Sequence, residues 1–137
     1  MTTFGLDITA ADIVDNLSFF DSWDDRYKYI IDLGKELSPM ALADHVDDNL
    51  IRGCQSKVWL SSEIKDGRLY FTVDSDAFIV KGLLAIVMAA YNGKTKAEIR
   101  EFDIQGFFAS IDLMRHLSTT RGSGLQSMVA RIQSLAA

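Results

Sequence analysis

Among 137 residues there is one cysteine, Cys54, and one proline, Pro39. A single thiol excludes an intrachain disulfide. With only two histidines, His45 and His116, on separate segments, it is also a poor start on a zinc or iron–sulfur ligand set. Positive charge is scarce too: 14 lysines and arginines face 19 acids, for a net charge of -5. The basic residues are dispersed, which argues against nucleic acid as a partner because a binder must neutralise many phosphates. Long apolar runs are missing as well. The greasiest stretch, residues 78–91, is interrupted by Lys81 and is too short to span a bilayer, so no membrane partner is expected. The first seven residues lack a basic region followed by an apolar run, which gives no sign of a secretory signal. A cytoplasmic, reducing location is the resulting expectation. No glycine-rich phosphate loop is present, so Lys81 is not read as a Schiff-base lysine for a bound pyridoxal phosphate.

What is present is enough to build a core. Apolar residues make up 48% of the chain and aromatics 10%, which predicts a single ordered domain over residues 1–137. Ile13, Val14, Leu17 and Phe20 form a helical stripe, and Tyr27, Ile30, Ile31, Gly34 and Leu37 form a second. Asp24 and Asp25 favour the start of that second helix, and Ser38-Pro39 is read as its stop. Residues 39–56 show no clear period. Beyond them the period becomes two: Val58 and Leu60, then Leu69, Phe71 and Val73, flank Asp66-Gly67, a strong hairpin signal.

Asp74-Ser75-Asp76 offers capping oxygens before an almost wholly apolar helix over residues 77–91, which Asn92-Gly93 would stop. Gly82 inside that helix costs about 0.5–1 kcal/mol relative to alanine, a cost that close approach of another backbone would justify. Thr95-Lys96-Ala97-Glu98 reads as a capping box. Gly106-Phe107-Phe108 opens a short apolar segment that ends near Leu117. After the polar stretch of residues 118–124, the residues Leu125, Met128, Val129, Ile132 and Leu135 mark a last amphipathic helix. Helices around a short hairpin predict an α+β fold with a small antiparallel sheet.

The chemistry converges on Cys54. It follows Gly53 and precedes Gln55 and Ser56, a setting that suits a loop tip and not an apolar face. Gln55 and Ser56 are candidates to donate hydrogen bonds around the sulfur. Asp74 and Asp76 read as helix caps that could also steady the cysteine loop. His45 reads as solvated, His116 as a helix-surface residue and Trp59 as core.

The run Gly53-Cys54-Gln55-Ser56-Lys57-Val58-Trp59-Leu60 resembles the cysteine motif of the SufE family of cysteine desulfurase activators. The likeness continues through residues 74–83, resumes at residues 91–95 and again at residues 117–125, and includes the segment from Trp23 to Leu37. Thr119 and Ser123 depart from residues common in the family, but neither departure removes a group that sulfur transfer needs. The resemblance implies a fold related to IscU-type scaffolds. It also implies that Cys54 accepts sulfane sulfur from a cysteine desulfurase, stimulates that enzyme and delivers the sulfur to an iron–sulfur scaffold or another acceptor. Pyridoxal phosphate would sit on the desulfurase, with no cofactor bound by this chain. The family also places Arg121 near the cysteine loop, where a guanidinium would favour a thiolate and a persulfide anion.

One cysteine suffices to accept and deliver sulfur, whereas a second nearby would attack the carried persulfide and expel sulfide. Shielding of Cys54 in the free protein is expected, with Gly53 giving the loop room to extend. Three alternatives stand beside the carrier. An iron–sulfur scaffold would need more thiolates than one chain supplies, and a cysteine hydrolase would need a base beside the thiol. A structural adaptor of the desulfurase would not need the thiol at all.

Overall fold

The computed structural model describes residues 3–54 and 56–137. Helix α1 (Ala10–Ser18) starts at a capping box in which Thr9 and Asp12 satisfy each other's backbone amides. Helix α2 (Trp23–Lys35) is capped by Ser22, with Asp24 and Asp25 in its first turn. It ends at Lys35, ahead of the expected stop at Ser38-Pro39. The aperiodic stretch that follows is built from two single 3-10 turns, Leu42–Asp44 and Asp47–Asn49.

Strands β1 (Val58–Lys65) and β2 (Arg68–Ser75) pair antiparallel in a register that runs from Val58 opposite Ser75 to Lys65 opposite Arg68. Asp66 and Gly67 both take positive φ, which is what a two-residue hairpin turn of this hand requires. Val58, Leu60, Leu69, Phe71 and Val73 are buried on the inner face. Trp59 lies on the opposite face and is only half-buried, which corrects its reading as core; the period of two sends it away from Val58 and Leu60. A two-residue strand, β3 (Lys94–Thr95), completes a three-stranded sheet in the order β1-β2-β3.

Helix α3 (Phe78–Tyr91) is the centre of the core, with Leu83, Leu84, Ala85, Ile86, Val87 and Tyr91 wholly out of solvent. It crosses α2 at two glycines. A Cβ on Gly82 would lie 2.3 Å from the Ile30 carbonyl oxygen, and one on Gly34 would lie 2.6 Å from the Gly82 nitrogen. The backbones therefore meet at the position where the sequence carries its unexplained helical glycine.

The side-chain cap expected at the start of α3 is absent, whereas the expected left-handed stop is present at Gly93, φ +73°. Its N-cap is Ala77, with no side-chain cap bond. Asp74 and Asp76 are instead engaged by tertiary partners described below, and Ser75 Oγ both accepts the Ala77 amide at 3.2 Å and donates to the Lys57 carbonyl. Short helices α4 (Lys96–Glu101), entered through the Thr95–Glu98 capping box, and α5 (Ile104–Ser110), capped by Asp103, lead to a 3-10 turn at Met114–His116. His116 is not a free surface residue: its ring stacks on Trp23 at 3.9 Å, and its Nδ1 lies 3.1 Å from the Asp112 carbonyl.

Helix α6 (Thr119–Leu135) begins well before the apolar stripe that announces it. Ser118 accepts from the Arg121 amide as N-cap, and the polar stretch is two helical turns whose Gly122 and Gly124 are buried. Arg121 therefore stands on a helix, not in a loop.

Candidate functional site

The cysteine loop is clamped at both ends. At its base the Ile51 amide donates to the Val58 carbonyl at 2.8 Å, and Arg131 of α6 donates through Nη2 to the Leu50 carbonyl at 2.8 Å. At the far end Lys57 is held by three bonds. Its amide donates to Asp76 Oδ1 (3.1 Å), and its carbonyl accepts from Ser75 Oγ (2.7 Å) and from the Asp76 amide (3.3 Å). Asp76, read as a helix cap, thus joins Ser75 in fastening the loop to the end of β2.

Gly53 is at φ +89°, and a Cβ there would come within 2.7 Å of Ser127 Oγ on α6. The position needs glycine for its backbone conformation and for its closeness to the helix. Next to it Cys54 turns inward, half-buried against the core. Its Sγ donates to the Gly124 carbonyl of α6 at 3.6 Å. A small cavity of about 20 Å³ lies beside the sulfur, bounded by Val80 and Leu83 of α3, Ser56 of the loop, and Thr120, Arg121, Gly124 and Met128 of α6. That is room for about one atom the size of water.

Burial pushes the Cys54 thiol above its ordinary pKa. Val80, Leu83 and Met128 supply an apolar wall, and Arg121 is the one charged residue among those bounding the cavity. Among the described residues no carboxylate or other acceptor engages the Arg121 guanidinium. At rest the sulfur is a neutral thiol in shelter, and a cation with no partner among the described residues stands at the same cavity.

Of the residues singled out in the sequence, Gly53, Cys54 and Arg121 come together here, and Asp76 holds the cysteine loop in place. Asp74 does not. It sits on the outer side of the hairpin, where it receives His45 Nε2 at 2.6 Å and Lys81 Nζ at 3.7 Å. His45, read as solvated, is 18% exposed at its side chain and packs edge-on against Trp59 at 4.7 Å. The bond to Asp74 raises the His45 pKa. For Asp74, burial acts upward but is outweighed by His45, the Ser75 amide and Lys81, leaving its carboxyl below the ordinary value. Gln55 lies outside the described residues.

Sequence reasoning missed Val80, Leu83, Gly124 and Met128 as parts of the site. The first two and Met128 carry the same periodic signal as any core residue, and Gly124 contributes a backbone carbonyl, which no side chain marks. Among the described residues no group of three or more His, Cys, Asp or Glu side chains is placed to hold a metal.

The fold is shared with the solution structure of a hypothetical protein from Thermus thermophilus, at TM-score 0.75, covering 93% of this chain and 92% of that one at 15% identity. Two curated relatives are closer in sequence. An uncharacterized SufE-like protein of Rhizobium meliloti (strain 1021) is 44% identical over 126 residues, covering 89% of this chain and 90% of its own. Another, from Rhizobium etli, is 44% identical over 125 residues, covering 88% of this chain and 84% of its own. The family model described as "SufE: Fe-S metabolism associated domain" matches residues 11–136. With the cysteine loop, the hairpin and the α6 wall arranged as above, the chain belongs to the SufE family of Fe-S metabolism proteins.

Proposed function

We propose that the protein is an accessory sulfur carrier that takes sulfane sulfur onto Cys54 from a pyridoxal-phosphate-dependent cysteine desulfurase, stimulates that enzyme and passes the sulfur on for iron–sulfur cluster assembly. Family membership supports the class of activity, and one observation carries the role of the residue. The only thiol of the chain sits on a loop fastened at both ends, with its sulfur turned into a cavity of about 20 Å³ against α3 and α6. A carrier has to keep its thiol quiet between encounters and yield it to one partner. A neutral, sheltered thiol on a loop meets the first need, and the positive-φ glycine before it serves the second.

The transfer is an exchange with no net oxidant. On leaving the pocket the thiol gives its proton to solvent or to a base of the partner. The Cys54 thiolate then attacks the outer sulfur of the donor's persulfide. The new bond joins Cys54 Sγ to that sulfur, the donor's S–S bond breaks, and the electron pair departs with the donor thiolate. Delivery repeats the step, with Cys54 as the leaving thiolate. Because burial raises the thiol's pKa, attack requires the loop to come out first, which ties reactivity to the encounter.

The test is to incubate the chain with a cognate desulfurase and cysteine without reductant, then locate added sulfur by intact-mass and peptide mass spectrometry. One sulfur atom on the peptide carrying Cys54, removed by a reducing thiol, is the expected result. The Cys54→Ser chain should gain none and should not stimulate sulfur release, since an alcohol is a poor nucleophile at neutral pH. An unmodified Cys54 despite complex formation and turnover would overturn the carrier role.

A further inference from the structure

The bond from Cys54 to Gly124 can form in only one chemical state of the sulfur. A carbonyl oxygen accepts from an S–H group. It has nothing to accept from a thiolate or from a persulfide anion, whose lone pairs would face its own. Persulfides are stronger acids than the thiols they come from, so carried sulfur is negatively charged near neutral pH. An anion left in place would also lie against Val80, Leu83 and Met128 with little water to solvate it.

The same helix holds the remedy. Arg121 lies three residues before Gly124 on α6, about 4.5 Å along the axis, and bounds the same cavity. Its guanidinium has no partner among the described residues. It stands in the first turn of α6, the end at which a helix favours negative charge.

We propose that α6 offers the Cys54 sulfur two stations: the Gly124 carbonyl holds the empty thiol, and the Arg121 guanidinium takes the charged persulfide once sulfur is loaded. Loading thus moves the sulfur away from the Gly124 carbonyl toward the start of α6, and the position of the loop reports whether the carrier is full. The inference rests on the reading of Cys54 as a sulfur acceptor. It names Arg121 as a positioning residue for the loaded form and gives it no part in holding the resting thiol.

The test loads the isotopically labelled full chain with sodium tetrasulfide, so that no desulfurase is needed. The Cys54 thiolate takes one sulfane sulfur, the new Sγ–S bond forms, and trisulfide leaves with the electron pair of the broken S–S bond. Intact mass confirms the gain of one sulfur. Magnetic resonance then follows the Arg121 Nε–H signal, identified by its loss in Arg121→Lys, and the Gly124 carbonyl carbon. On loading, the Arg121 signal should shift and exchange more slowly with water, and the Gly124 carbonyl should shift as its S–H donor is lost. Neither should move when the Cys54→Ser chain is treated in the same way. Loaded Arg121→Ala should lose its sulfur to a small added thiol severalfold faster than loaded wild type, with Arg121→Lys between them. A loaded wild-type chain whose Arg121 signal is unchanged would overturn the proposal, as would equal rates of loss in wild type and Arg121→Ala. Failure of a desulfurase to load Cys54 would instead strike the carrier reading, and the tetrasulfide experiment would still report on the two stations.

Discussion

At the scale of single residues the site depends on sulfur that is present but unavailable. Alkylation of Cys54 should be markedly slower in the native chain than in the urea-unfolded one, and its rate–pH curve should be displaced upward, because burial favours the thiol over the thiolate. Superimposable native and unfolded curves would remove the shelter. Asp76→Ala should speed native alkylation by releasing the Lys57 amide, with little effect on the unfolded chain. His45 and Asp74 make a pH-dependent pair of definite sign. The raised His45 pKa gives stability that is complete below the ordinary histidine value and fades as pH rises through the raised one. The lowered Asp74 pKa gives stability that is present above the ordinary carboxylate value and fades as pH falls through the lowered one. The stability difference between wild type and His45→Ala should therefore be widest between about pH 4 and 6.5. Urea midpoints across that range would read it, and two parallel profiles would deny the pair any role.

At the scale of elements, the contact of α2 with α3 is the most exposed to test. Gly82→Ala sets a methyl group 2.3 Å from a backbone oxygen, which neither helix can avoid by moving a side chain. A loss of about 1–3 kcal/mol in unfolding free energy is expected by denaturant titration, although alanine is the better helix former. A neutral result would mean that the helices do not meet there. This crossing was half legible in the sequence: the glycine stood out, but its neighbour Ile30 is 52 positions away along the chain. The same division runs through the fold. The Asp66-Gly67 turn and the Thr95–Glu98 capping box were readable because their partners lie within four residues. The first turns of α6 were not, because Thr119 to Gly124 are polar or glycine and owe their helix to the Ser118 cap and to burial against the rest of the molecule. His45 was misread for the same reason, since its partner Asp74 comes from the far end of the hairpin.

At the scale of the whole molecule, a net charge of -5 bears on encounter and not on fold. If the desulfurase proposed as partner presents a basic surface, the association rate should fall as salt rises while the dissociation rate changes little; stopped-flow mixing across a salt series distinguishes the two. The clamp at the base of the cysteine loop then acquires a meaning in the assembly. Six residues separate Ile51 from Val58, whose backbones are joined at 2.8 Å. Three residues out and three back, drawn straight, give an arm of about 10 Å. The loop is in that sense a ruler. A donor sulfur within the arm's length can be met by releasing the pocket contact and the bonds that hold Lys57, whereas one set deeper requires the Ile51–Val58 bond to open as well. On the proposed carrier role, the depth of the well from which the chain can draw is thus written into the length of its own loop, and inserted residues would lengthen the reach at the expense of a thiol that finds its way back to Gly124.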